Sequence, residues 1–200
     1  MNVIRIVMQA LFLLILCLVP TTVVADGHDN TTRNEMVVFD FQKSDTLNDW
    51  RTVNDGVMGG LSLGEFVIGD NDIAVFQGTL SLENNGGFSS TRTSPRLFNL
   101  GGFDGILLRL KGDGKKYQFR LRVDDRFDGI AYQYPFKTDN NKWIIVRVPF
   151  SECVPVFRGR VLDNVGPISP ASIQQIGFLV SDKQAGSFRL EIDWIKAYKE

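Results

Sequence analysis

GILLRLKGDGKKYQFRLRVD, residues 105–124, carries the clearest strand pattern in the chain. Gly105 to Lys111 and Lys116 to Asp124 are strand-like runs, separated by Gly112-Asp113-Gly114. Asp-Gly takes up positive φ at little cost, so the stretch is expected to form a hairpin. In the second run Tyr117, Phe119, Leu121 and Val123 alternate with Gln118, Arg120, Arg122 and Asp124. A period of two puts apolar side chains on one face and polar ones on the other, the pattern of a strand with one dry side.

Further strand candidates lie on both sides of it. They are Val37 to Phe41, Ile73 to Phe76 continuing past Gly78 to Leu80 and Leu82, Ile130 to Phe136, Trp143 to Val148, Ile176 to Val180, and Phe188 to Tyr198. In the last, Phe188, Leu190, Ile192 and Trp194 are expected on one face, opposite Arg189, Glu191 and Asp193. Helical periodicity is scarce. Ser44 to Trp50 and Ser169 to Gln175 each read as a short turn, the second with Ser169 as N-cap and Pro170 at the first helical position. Many short strands joined by turn clusters predict an all-β sandwich or barrel. The 15 Phe and 19 Gly suit short strands with tight turns. With no internal repeat and no low-complexity linker, the folded part is expected to be one domain over residues 36–200.

The N-terminus has a different character. Arg5 precedes an apolar run from Ile6 to Val19, Pro20 breaks it, and Val23-Val24-Ala25 supplies small residues before Asp26. This order of charged, apolar and small residues reads as a secretory signal over 1–25, cleaved after Ala25. The run is shorter than the ~20 residues a spanning helix needs. The expectation is an exported chain, periplasmic or secreted, with no membrane span after cleavage. Residues 26–35 are polar and aperiodic, a flexible leader that carries a glycosylation sequon at Asn30. Cys153 is then the one cysteine of the mature chain, so no internal disulfide is expected.

The chemistry of the chain is narrow. A formal net charge of -1 argues against nucleic acid as a partner. The single histidine, His28, lies in the leader, which removes Ser-His-Asp and Cys-His catalysis and leaves zinc, which needs several His or Cys ligands, with Cys153 alone. Neither a Walker loop nor a dinucleotide fingerprint is present, and no cofactor is expected. Asp124, Asp125 and Asp128 lack the spacing of a calcium loop, so no metal is expected either. No carboxylate pair stands out for glycoside chemistry. The chain reads as a binder and not an enzyme.

Three segments are candidates for ligand or partner binding. VNDGVMGGLS, residues 53–62, offers Asn54, Asp55, Met58, Gly59, Gly60 and Ser62; adjacent glycines permit unusual backbone angles or close approach, and Asn54 and Asp55 can brace the loop. GGFSSTR, residues 86–92, offers hydroxyls and Arg92. PVFRGR, residues 155–160, places Arg158 and Arg160 around a glycine as a fork for a carboxylate, or for pairing with the domain's own acids. Arg109, Arg120, Arg122 and Arg147 sit at outward positions of their strands. If these strands adjoin, they form one charged face with Glu191 and Asp193, extended by aromatic surface from Tyr132 and Tyr134.

These segments, in this order, resemble the complex I intermediate-associated protein 30 family. The resemblance rests on VNDGVMGGLS (53–62), GGFSSTR (86–92), DGILLRLKGDGKKYQFRLR (104–122), VPF (148–150) with PVFRGR (155–160), and LEIDWIKAY (190–198). It implies a jelly-roll sandwich of the galactose-binding-like type and a non-catalytic, chaperone-like assembly role, with a protein partner. It brings no catalytic residues, and it implies that Cys153 fills a buried apolar position. The mitochondrial members assist assembly of respiratory complex I, which an exported chain would not meet. A carbohydrate-binding module is the alternative, with a glycan as its ligand.

Overall fold

The computed structural model describes residues 34–42 and 48–200. The expected signal peptide and nearly all of the leader lie outside the described residues. Thirteen strands form two antiparallel sheets. The first sheet holds β3 (Leu63–Ile68), β4 (Ala74–Leu80), β13 (Gly186–Tyr198), β6 (Gly105–Lys111) and β9 (Trp143–Pro149) in that order; β1 (Glu35–Phe39) pairs with the far half of β13. The second runs β11 (Arg160–Val161), β10 (Val154–Phe157), β8 (Ala131–Lys137), β7 (Lys116–Arg122), β12 (Gln175–Val180), β5 (Ser89–Thr93) and β2 (Trp50–Asn54). This is the jelly-roll sandwich that the strand count and the resemblance implied. Of the two expected helical turns, Pro170–Ser172 is a single 3-10 turn. Trp50 opens β2, and residues 43–47 of the other are not described.

The hairpin expected at 105–124 does not form. β6 pairs with β13 and β9, whereas β7 pairs with β12 and β8, so the two halves belong to opposite sheets. The reason is packing. Ile106, Leu108 and Leu110 of β6 and Tyr117, Phe119 and Leu121 of β7 are all buried in one core. In opposite sheets the two apolar rows meet across that core, each covering the other. The turn residues serve the crossing. Gly114 has φ 87°, and a Cβ at Gly112 would stand 2.4 Å from Thr138 Oγ1. Asp113 accepts from Lys115 N (3.0 Å), the Tyr117 hydroxyl (3.1 Å) and Arg189 N (3.0 Å), tying the crossover to β13.

β13 also departs from simple alternation. Its register against β6 shifts between Ile192 and Trp194, a bulge that inverts the phase of the strand. The inward set is Phe188, Leu190, Ile192, Ile195 and Ala197, and Trp194 turns outward beneath the Lys196 ammonium. Tyr132 and Tyr134 point the other way from expectation. Tyr132 is buried with its hydroxyl donating to Gly166 O at 3.2 Å, and Tyr134 packs against the core. An aromatic surface strip is therefore missing from β8.

The expected arginine face divides in two. Arg109 and Arg147 lie on the outer side of the first sheet, paired with Asp193 and Glu200, while Glu191 takes Lys111 at 2.8 Å and Arg189 at 2.9 Å. Arg120 and Arg122 belong to β7 of the second sheet.

Candidate functional site

The VNDGVMGGLS loop closes on a buried carboxylate. Asp55 follows β2 directly and opens a 3-10 turn, Asp55–Met58, which ends on Gly59 at φ 87°. Its side chain is 0 % exposed. One oxygen accepts from Ser62 N at 2.9 Å; the other accepts from Ser62 Oγ at 2.5 Å, Gly87 N at 2.6 Å and Phe88 N at 3.3 Å. Burial pulls the carboxyl upward, but these bonds from Ser62, Gly87 and Phe88 outweigh it and hold Asp55 below the ordinary carboxylate range. The motif glycines make room for the group. A Cβ at Gly60 would stand 2.4 Å from Asp55 Cγ, and one at Gly86 2.5 Å from its Oδ2. Asn54 adds a second tie, accepting from Ser89 Oγ at 2.7 Å and donating to Gly64 O at 3.2 Å.

So Asn54, Asp55, Gly59, Gly60 and Ser62 shape the loop, and what the loop presents is apolar. Val57, Met58, Leu61 and Leu63 are between 53 % and 72 % exposed. Leu82, also exposed, follows β4 at the same end of the β3–β4 hairpin, where Leu63 pairs with Thr79. Asn84 Nδ2 donates to Gly59 O at 3.1 Å and fastens the two loops together. Of these apolar residues sequence reasoning singled out Met58 alone. Val57, Leu61, Leu63 and Leu82 were legible only as hydrophobic residues, which ordinarily point inward.

Arg92, Arg120 and Arg122 come together elsewhere, on the outer face of the second sheet. Strand register builds one transverse row there: Arg51 opposite Arg92, Arg92 opposite Gly177, Gly177 opposite Arg120, and Arg120 opposite Gln133. Arg122 lies one step along, opposite Gln175. The row borders a shallow open cleft of about 30 Å³ lined by Ser90, Arg92, Arg120, Arg122, Gln175 and Gly177. Phe127, on the loop after β7, lies over both the Arg92 and Arg51 guanidiniums, at 4.8 and 5.5 Å. Burial, reinforced for Arg92 by Arg122 and Arg51 and for Arg120 by Arg122, pulls each of their guanidiniums down to about 10. Arg51, Phe127, Gln175 and Gly177 escaped the sequence reading, because nothing in a linear chain marks which strands adjoin.

Arg158 and Arg160 sit at the edge of that sheet. Arg158 (φ 47°) and Gly159 (φ 78°) are the two central residues of the β10–β11 turn, closed by the Phe157–Arg160 pair. Two successive positive φ values suit the right-handed twist of a tight hairpin. Arg158 pairs with Asp128, and Arg160 is exposed. The self-pairing reading therefore holds for Arg158. Asp124 is likewise engaged, by Arg126 at 2.6 Å.

Cys153 is buried, and burial first, then Glu152, pushes its thiol up to about 12. Thiolate, not thiol, is the reactive form. Native protein is therefore expected to resist a colourimetric disulfide reagent at pH 8 and to react fully on unfolding; rapid labelling of the native state would contradict the burial.

Comparison with known proteins gives the same architecture. The family 11 carbohydrate-binding module of a cellulosomal cellulase of Clostridium thermocellum superposes with a TM-score of 0.64 at 18% identity, over 83% of this chain and 95% of that one. At that identity the likeness is one of fold. Among curated sequences, complex I intermediate-associated protein 30, mitochondrial, of Mus musculus is 30% identical over 184 residues, covering 82% of this chain and 56% of the relative. Its counterpart of Drosophila melanogaster is 26% identical, covering 80% and 61%. The chain thus spans little more than half the length of these curated relatives. Both are named as mitochondrial, which overturns the expectation of export drawn from the order of charged, apolar and small residues over 1–25. Residues 39–192 match the model of the complex I intermediate-associated protein 30 family, and the chain belongs to that family.

Proposed function

We propose that this chain is a non-catalytic assembly module that holds a protein client, a complex I assembly intermediate or one of its subunits, through the loop Val57–Leu63. The observation that supports this is the exposure of Val57, Met58, Leu61 and Leu63 on a backbone fixed by Asp55. Apolar side chains clustered on a surface loop favour burial against a partner. A loop already fixed in shape loses little further entropy on docking. The family relationship supplies the class of client. The carbohydrate alternative rests on the fold class, on Tyr132 and Tyr134 and on a single arginine face. The fold agrees with it, but both rings pack inward and the arginines divide between the two sheets.

Val57→Asp with Met58→Asp tests the reading. Both side chains are exposed, so the variant should unfold within about 0.5 kcal/mol per site of the parent. Capture of complex I subunits from mitochondria by the tagged chain should fall about tenfold or more. Equal capture by parent and variant, or no complex I subunit captured by the parent, would sink the proposal.

A further inference from the structure

Four guanidiniums on the second sheet form no direct ion pair, although Asp124 and Asp128 lie near Arg122, Asp128 near Arg92 and Asp182 near Arg120. Among the described residues Arg96, Arg109, Arg126, Arg147, Arg158 and Arg189 each meet a carboxylate. Arg51, Arg92, Arg120 and Arg122 instead donate to neutral oxygens. Arg51 reaches Gln175 Oε1 (3.4 Å), Arg92 the carbonyl of Phe127 (2.8 Å), Arg120 the amide oxygens of Gln118 (2.9 Å) and Gln133 (3.2 Å), and Arg122 the carbonyl of Gly129. The Nε atoms of Arg51 and Arg92 are buried without any partner. Arg92 is only 9 % exposed. Like charges placed opposite each other on adjacent strands weaken a sheet, and Arg51 faces Arg92 directly.

The row also has a bare floor. A Cβ at Gly177 would stand 2.3 Å from Thr91 O and 2.8 Å from Arg92 Cβ, so no side chain can occupy the space between Arg92 and Arg120. Those two strands flank β12 and lie about 10 Å apart. The result is a cleft with cationic walls and no acid in contact with them.

We infer that this groove, walled by Arg51, Arg92, Arg120 and Arg122 over Gly177, binds a phosphoryl oxyanion. A guanidinium fork matches carboxylate and phosphate alike. Charge decides between them: a carboxylate brings one negative charge, whereas a phosphate monoester brings nearly two and three acceptor oxygens. Four guanidiniums, none of them in contact with an acid and only partly offset by Asp124, Asp128 and Asp182 nearby, favour the latter. The cleft is too small to take an extended polymer. The groove shares no residue with the Val57–Leu63 loop, so this inference and the client proposal stand or fall separately.

Thermal unfolding of the full chain with inorganic phosphate and with phosphoserine, against glutamate at matched ionic strength, tests it. Phosphate at roughly tenfold excess over Kd should raise the midpoint by about 3 °C. Arg120→Gln, and independently Arg51→Gln, should weaken binding about tenfold, while the ligand-free midpoint stays level or rises as like-charge repulsion is relieved. That split separates a ligand-binding role from a structural one. Competition by free phosphate for vesicles bearing phosphatidic acid would assign the group to a lipid headgroup; a phosphate response without vesicle binding would assign it to a soluble ester. Equal response of variants and parent, a glutamate effect as large as that of phosphate, or no response to phosphate would each overturn the inference.

Discussion

Asp55→Asn is expected to lower the unfolding free energy by about 3 kcal/mol, the cost of disrupting a buried, charge-assisted cluster. The amide keeps the size of the carboxylate but turns one acceptor into a donor. That donor would confront Ser62 N on one side or Gly87 and Phe88 N on the other, all of them donors already. The sign of the pH dependence follows from the lowered folded-state value of Asp55. Its contribution is complete above the unfolded value of about 3.9 and is lost as pH falls through the folded value. Urea unfolding of parent and variant should therefore show a gap that is constant near neutrality and narrows below about pH 4. A gap under about 1 kcal/mol, or one unchanged down to pH 3, would mean that the carboxylate does not hold the loop.

Gly78→Ala should be comparably damaging, by about 3 kcal/mol. Gly78 pairs with Gly64 across β3 and β4, and its Cβ would fall 2.0 Å from Leu63 O and 2.7 Å from Gly64 Cα. Both obstacles are backbone, so no side-chain rotation relieves them and β3 must move away from the sheet. Since Leu63 opens β3, capture of the client should fall along with stability. Gly102→Ala is the matched control: its Cβ would meet nothing within 4 Å, and its midpoint should not move. Equal effects of the two substitutions in chemical denaturation would refute the close-approach argument.

The loop around Asp55 shows how far a linear reading goes. Asp55 with Gly59, Gly60 and Ser62, and the glycines of GGFSSTR, are visible as a pattern of bracing and small residues, and that pattern marks the knot. Its meaning is not visible, because Gly86 and Gly87 come from a different loop and reach Asp55 only when β5 pairs with β2. The Met58 side of the loop misleads in the opposite sense. Hydrophobic residues in a sequence count as core, and exposure is a property of the assembled surface.

The class of fold is written in the order of the residues. Alternation with period two in Tyr117–Val123 and its counterparts requires strands with one dry face, and the scarcity of histidine and cysteine sets the limits of the chemistry. Family membership, too, was carried by short linear motifs. Strand pairing and phase emerge only on folding. Residues 105–124 cross between sheets because two apolar rows gain more by facing each other than by lying side by side, and a bulge after Ile192 reverses which residues of the last strand are covered. Arg51, Arg92 and Arg120 became a row only through the strand order β7-β12-β5-β2. Local propensity acts between near neighbours in the chain, whereas register across a sandwich is set by the whole core at once. For that reason the strands could be read from the letters, and the groove could not.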